Sequence, residues 1–169
     1  GANNNFNAGD DVYSFDSKTP FYKTIWDGGG NDTISAASFD TDITINLLPG
    51  SFSSLLYDLP VGYKGRSVSY DGTDNLSIAY DCLIENATGG RGSDYLLGND
   101  IDNRLQGGDG NDILVGGLGD DTFDWDQGTR QGDDIFYGGL GDDVYVIDSK
   151  NDDVIEKLNE GNDVLWVEG

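Results

Sequence analysis

Aspartates recur every nine residues along the second half of this chain, and a carboxylate at fixed pitch is a group that can hold a cation. Set in register on that aspartate, the sequence gives complete units at 89–97 (GGRGSDYLL), 107–115 (GGDGNDILV), 116–124 (GGLGDDTFD) and 138–146 (GGLGDDVYV). A degenerate unit at 98–106 (GNDIDNRLQ) carries Asn103 in the same place. Four residues, 125–128, interrupt the series before 129–137 (TRQGDDIFY) restores it. Units 147–155 and 158–166 lose the glycine pair but keep Asp152 and Asp163. Upstream, 27–35 (DGGGNDTIS) and, faintly, 6–14 (FNAGDDVYS) fit the same frame. Isolated Gly-Asp turns are ordinary surface loops; turns that recur at nine-residue pitch, two of them in direct tandem, are an architecture.

The elements that position these aspartates follow from the rest of the unit. Paired glycines permit positive φ and close backbone approach, so six residues turn sharply with their carbonyls inward. The three residues that follow are too few for a helix and suit a short strand. Their middle, bulky position (Leu96, Leu105, Leu114, Phe123, Phe136, Tyr145, Val154 and Leu165) is expected in the core. Two units make one coil, and alternate units stack on one side at about 4.8 Å. The fold expected is therefore all-β, a right-handed parallel β-roll. One side carries Asp94, Asp112, Asp134 and Asp152, the other Asn103, Asp121, Asp143 and Asp163.

Like charges about 5 Å apart repel by about 1 kcal/mol in water and several-fold more where shielded. A hard divalent cation between successive turns reverses that sign. Calcium accepts six to eight oxygens in forgiving geometry, whereas magnesium demands a strict octahedron and keeps its waters. The strongest ions are expected between the turns of Asp94 and Asp112 and between those of Asp121 and Asp143. Carboxylates and turn backbone would contribute together: Gly107, Gly108, Asp109 and Gly110; Gly116, Gly117, Leu118 and Gly119; Gly138, Gly139, Leu140 and Gly141. Roughly four to eight calcium ions are expected. The nonapeptide is a known signature of calcium-binding RTX β-helices, so this reading is a match to a described pattern.

Composition narrows the function. The chain has 169 residues, enough for one domain with a real core. It carries 9 basic against 32 acidic residues, a formal charge of -23. Nucleic acid and anionic membranes are poor partners for such a surface, and the ion-free form is expected to be disordered. One cysteine, Cys82, rules out an internal disulfide framework. The absence of histidine removes His-based zinc sites and Ser-His-Asp triads. No apolar run is long enough to span a bilayer, and "GANNNFNAGD" has neither the basic nor the apolar stretch of a signal peptide. Acidic pairs such as Asp142 and Asp143 suit turn and ligand roles better than glycosidase chemistry, so the chain itself is not expected to be an enzyme.

Residues 1–86 do not repeat. "TDITINLLPGSF" reads as a strand ending in a Pro-Gly turn, and "NLSIAYDCLIENA" as a strand pair leading into the first complete unit. They are expected to cap the N-terminal end of a roll formed by 87–169, all within a single domain spanning 1–169 and with an insertion at 125–128. The blocks WDGGGNDT, INLLPGSFS and IENATGG resemble the C-terminal domain of the serralysins, secreted bacterial zinc metalloproteases, over about residues 1–124. That resemblance implies a calcium-loaded RTX roll, type I secretion machinery as a partner and an extracellular location. It also implies further ligands at Asp27, Gly29, Gly30 and Asp32; at Leu83, through its carbonyl, and Glu85; at Gly90, Gly92 and Asp94; and at Asn99, Ile101 (carbonyl) and Asn103. The zinc motif HExxH is absent, so protease chemistry would belong to a parent protein. Residues 53–74 look longer than the family's loop and carry Tyr57, Tyr63, Lys64, Arg66 and Tyr70. They read as a hairpin packed on the roll or as a glycan or protein contact surface, the latter in an adhesin or polysaccharide-active parent. The end, "GNDVLWVEG", resembles the tail of type I secretion substrates but fits better as a last degenerate repeat.

Overall fold

The computed structural model describes residues 7–57, 71–124 and 132–167. Every regular element in them is a strand, and most are three residues long, as the x-U-x triplet requires. One sheet has seven strands, in the order β1 (Val12–Ser14), β3 (Thr33–Ser35), β7 (Asn86–Thr88), β9 (Arg104–Gln106), β11 (Thr122–Phe123), β13 (Val144–Ile147) and β15 (Val164–Val167). Facing it is a five-stranded sheet ordered β14 (Asp153–Ile155), β12 (Ile135–Leu140), β10 (Ile113–Leu118), β8 (Tyr95–Leu97) and β4 (Thr44–Asn46). All pairings in both sheets are parallel. A third sheet, β2 (Lys23–Ile25), β6 (Leu76–Ile78) and β5 (Phe52–Ser53), contains the antiparallel pair, β5 with β6. The architecture is an all-β parallel β-roll.

Register builds the core. Down the five-stranded sheet, Ile45, Leu96, Leu114, Phe136 and Val154 stand in one row. Down the seven-stranded sheet the row is Tyr13, Ile34, Ala87, Leu105, Phe123, Tyr145 and Leu165. These are the bulky positions of successive units, and from Leu96 to Tyr145 all are buried. Each such burial stabilises by about 1.5–3 kcal/mol. The rings of Phe123 and Tyr145 stack at 5.0 Å, and Phe136 meets Phe123 edge-on at 5.8 Å.

Leu165 departs from its expected burial. It is 56% exposed, because β15 is the edge of its sheet and no described strand stacks beyond it. In the first half, β1, β3 and β4 join the same two sheets as the repeats, with β1 and β4 at their N-terminal edges.

Candidate metal centre

Each turn delivers its sixth-place residue to the position just before a strand, so sheet register stacks these residues into two columns. The first runs Ile43, Asp94, Asp112, Asp134, Asp152; the second Asp11, Asp32, Glu85, Asn103, Asp121, Asp143, Asp163. A ladder of hydrogen bonds ties each column together. The backbone N–H of Ile43 donates to Asp94 Oδ1 (3.0 Å), that of Asp94 to Asp112 Oδ1 (2.7 Å), that of Asp112 to Asp134 Oδ1 (2.8 Å) and that of Asp134 to Asp152 Oδ1 (2.9 Å). In the second column Asp11 donates to Asp32 Oδ1 (2.7 Å) and Asp32 to Glu85 Oε2 (2.8 Å). Asn103 donates to Asp121 Oδ1 (2.7 Å), Asp121 to Asp143 Oδ1 (2.8 Å) and Asp143 to Asp163 Oδ1 (3.0 Å).

That ladder uses one oxygen of each carboxylate. At Asp94 the other takes the N–H of Gly90 (2.7 Å), and at Asp152 the N–H of Ser149 (2.9 Å). At Asp32, Asp112, Asp121 and Asp143 the second oxygen, Oδ2, is buried without any hydrogen-bond partner. Leaving one buried polar atom unsatisfied costs about 1–3 kcal/mol, more if it is charged. Four such atoms are spread over the two columns, where a positive charge would offset that cost. Burial, reinforced by neighbouring carboxylates, pushes Asp112 and Asp121 up to about 8 and Asp32 and Asp143 up to about 6; burial likewise raises Asp94 to about 6.

The glycines make room for these oxygens. Asp112 Oδ2 lies where a methyl on Gly107 would stand, Asp121 Oδ2 against Gly116 and Asp143 Oδ2 against Gly138. Between turns, a methyl on Gly108 would strike the carbonyl of Gly90, one on Gly110 that of Gly92, one on Gly139 that of Gly117 and one on Gly141 that of Gly119. Gly117 meets Asn99, and Gly119 meets the peptide after Ile101, in the same way. Carbonyls of one turn therefore face the next across van der Waals contact. The side chains of Leu83, Leu118 and Leu140 are largely exposed, so backbone alone could contribute there. Asp109 gives its N–H to the Gly90 carbonyl at 3.0 Å. The donor set is all oxygen, part carboxylate and part carbonyl, and it fits calcium.

The degenerate turn is built differently. Asn103 Oδ1 accepts the N–H of Asn99 (2.7 Å), while Asn103 Nδ2 donates to the Glu85 carbonyl (3.0 Å) and to Asn99 Oδ1 (3.2 Å). An ionised aspartate could make neither of the last two bonds.

Near the N-terminal edge, Asp11, Asp27 and Asp32 bring one oxygen each within 4.8 Å of one another. Tyr13 donates to Asp27 Oδ2 (2.5 Å), and Asp27 Oδ1 accepts the N–H of Gly29 (2.7 Å). Gly29 and Gly30 hold φ of 124° and 148°, and a side chain on Gly30 would strike the carbonyl of Gly9. The structure brings Asp27 and Asp32 together. Asp11 does not figure among the ligands the sequence suggests, although it is the sixth residue of the faint unit 6–14. At the other end Asp143, Glu156 and Asp163 form a second such group. Glu156 escapes the nine-residue frame because it falls between units 147–155 and 158–166.

Of the longer segment at 53–74, residues 58–70, with Tyr63, Lys64, Arg66 and Tyr70, lie outside the described residues, as does the insertion at 125–128. Tyr57 is an anchor: its hydroxyl accepts the N–H of Phe21 (2.6 Å) and donates to the Phe21 carbonyl (2.8 Å).

The family model described as Peptidase M10 serralysin C terminal matches residues 2–168. The chain belongs to that family. It is 42% identical to a serralysin of Photorhabdus laumondii over 63% of this chain and 22% of that protein. It is also 37% identical to serralysin G of Dickeya chrysanthemi over 62% and 22%, and 36% identical to metallopeptidase AprA of Pseudomonas marginalis over 63% and 22%. The match spans about a fifth of the length of these relatives. This serralysin C-terminal domain is the part that does not carry catalysis.

Proposed function

We propose that this chain is the calcium-binding, non-catalytic RTX module of a type I-secreted extracellular bacterial protein, folding on calcium binding and supporting the export and stability of its parent. The relatives' names favour a serralysin-like zinc metalloprotease as that parent. One observation carries the reading: four buried carboxylate oxygens, on Asp32, Asp112, Asp121 and Asp143, each in a stacked turn and each without a partner. Asp94, Asp112 and Asp134 on one side, and Asp121, Asp143 and Asp163 on the other, would hold ions together with the carbonyls of the intervening glycine turns. Bound calcium supplies the positive charge that stacked carboxylates lack.

The coupling to folding is mass action. Each ion that binds only the folded chain contributes RT ln(1 + [Ca]/Kd), about 2.7 kcal/mol at a hundredfold excess over Kd. Extracellular modules work with Kd of about 0.1–1 mM. Several such sites leave the chain unfolded and threadable in a low-calcium cytosol and folded outside. The expected result at neutral pH is a coil-like circular dichroism spectrum in chelator and a β-rich one in millimolar calcium. A β-rich spectrum that persists in chelator at neutral pH overturns the reading.

A further inference from the structure

Successive turns of the second column open with a glycine: Gly98, Gly116 and Gly138 follow β8, β10's first triplet and β12's first triplet in one register row. The next place in that row, after β14, is held by Glu156. The turn it opens is two residues longer than its neighbours, running 156–163 where the others run 98–103, 116–121 and 138–143. The longer turn still stacks. Gly141 donates to the Glu160 carbonyl (2.9 Å), and Asn162 donates its N–H to Asp142 Oδ1 (2.9 Å). Its missing glycine has a consequence: a side chain now enters the space that the column elsewhere leaves to backbone. Glu156 Oε1 accepts the Tyr145 hydroxyl, and both oxygens crowd the point above Gly138 that Asp143 Oδ2 also faces. Asp143 is fully buried and its Oδ2 has no partner; Glu156 Oε2 is buried and has none either. Asp163 completes a triangle in which one oxygen of each carboxylate lies within 4.8 Å of the others. The adjacent cation, Lys157, is largely exposed and pairs with Glu160 at 3.3 Å.

We infer that Asp143, Glu156 and Asp163 form a cation site of their own at the C-terminal end of the roll, a calcium site in which a glutamate side chain replaces the glycine-turn backbone. The inference rests on the calcium reading of the repeated turns. Three carboxylates converge here, one oxygen of each within 4.8 Å of the others, and Asp143 Oδ2 and Glu156 Oε2 are both buried without a hydrogen-bond partner. Calcium suits the set because it tolerates irregular, carboxylate-rich oxygen shells. Tyr145 positions the glutamate rather than binding the ion: its hydroxyl donates to Oε1 and leaves Oε2 for the metal. The site also joins the last coil, whose outer row is exposed, to the buried coil beneath it.

The test counts ions on the full chain. Equilibrium dialysis against calcium, with circular dichroism in parallel, should give one ion fewer for Glu156→Gln than for the unaltered chain, with the β spectrum retained. Terbium emission excited through tyrosine should fall in Tyr145→Phe while that variant keeps the full calcium count. Equal counts for the unaltered chain and Glu156→Gln overturn the inference while leaving the wider calcium reading intact. An unaltered chain that takes up no calcium overturns both. Should Glu156→Gln fail to fold in calcium, the terbium result decides, and emission unchanged in Tyr145→Phe overturns the inference.

Discussion

Asn103 and Asp121 occupy the same place in adjacent turns of one column, and they show what a single atom changes. The amide nitrogen of Asn103 reaches the carbonyl of Glu85 and closes its turn with neutral hydrogen bonds. Asp121 puts a second oxygen in that place, and it is buried with no donor to meet it. In Asp121→Asn the ion-free chain loses a buried charge, and the calcium-loaded chain loses a ligand. The calcium midpoint of folding, followed by circular dichroism, should rise about tenfold, equivalent to about 1.4 kcal/mol, with the β-rich spectrum retained at saturating calcium. A midpoint that does not move would remove Asp121 from the ligands. Most of the candidate site was legible at this scale because an aspartate at constant pitch needs only counting. Asp11 was visible only as the sixth residue of a poor unit. Glu156 was not visible at all, since a turn two residues longer breaks the count, and only register along β14 returns it to the column.

At the scale of the element, three-residue strands cannot be stable singly, and their worth depends on what stacks beyond them. Leu114 sits between Leu96 and Phe136 in its row and is fully buried; Leu165 holds the equivalent place in an edge strand and is 56% exposed. Leu114→Ala should cost about 2–5 kcal/mol, the range for a buried leucine that leaves a cavity. Leu165→Ala should stay within about 0.5 kcal/mol. Denaturant unfolding of both variants in saturating calcium checks the pair, and equal losses would mean that Leu165 is covered in solution. The rows themselves were readable from the alternation of bulky residues. That β1, β3 and β4 enter the same sheets was harder to see. Tyr13, Ile34 and Ile45 lie in segments with one faint unit, one outlying unit and no unit, so periodicity was weak or silent and pairing across long loops decided. The stretch TDITINLLPGSF did announce β4 and its turn, because apolar alternation and Pro-Gly act locally.

For the whole molecule the governing quantity is a formal charge of -23, part of it buried along two columns. Burial lifts Asp112 and Asp121 to about 8 and Asp32, Asp94 and Asp143 to about 6, from an ordinary value of 3.8. Between those limits the folded, ion-free chain binds more protons than the unfolded chain, so its stability must fall as pH rises. The contribution is fully present below about pH 4 and is lost in two stages, through 6 and then through 8. Calcium inverts the trend, because its ligands must be deprotonated before they bind. In chelator, circular dichroism should therefore show more β structure at pH 5 than at pH 8, while the calcium needed for half-folding should fall over the same interval. Working at pH 5 keeps the chain above its pI of about 4.1, where precipitation would obscure the spectrum. A chelated chain equally unstructured at both values would mean that the carboxylates are solvated rather than buried before calcium arrives. On the proposed calcium reading, the electrostatic strain that disfavours the ion-free roll at neutral pH would make the ion a switch: protons relieve it partially, one carboxylate at a time, whereas an ion shared between turns would relieve it for both neighbours at once.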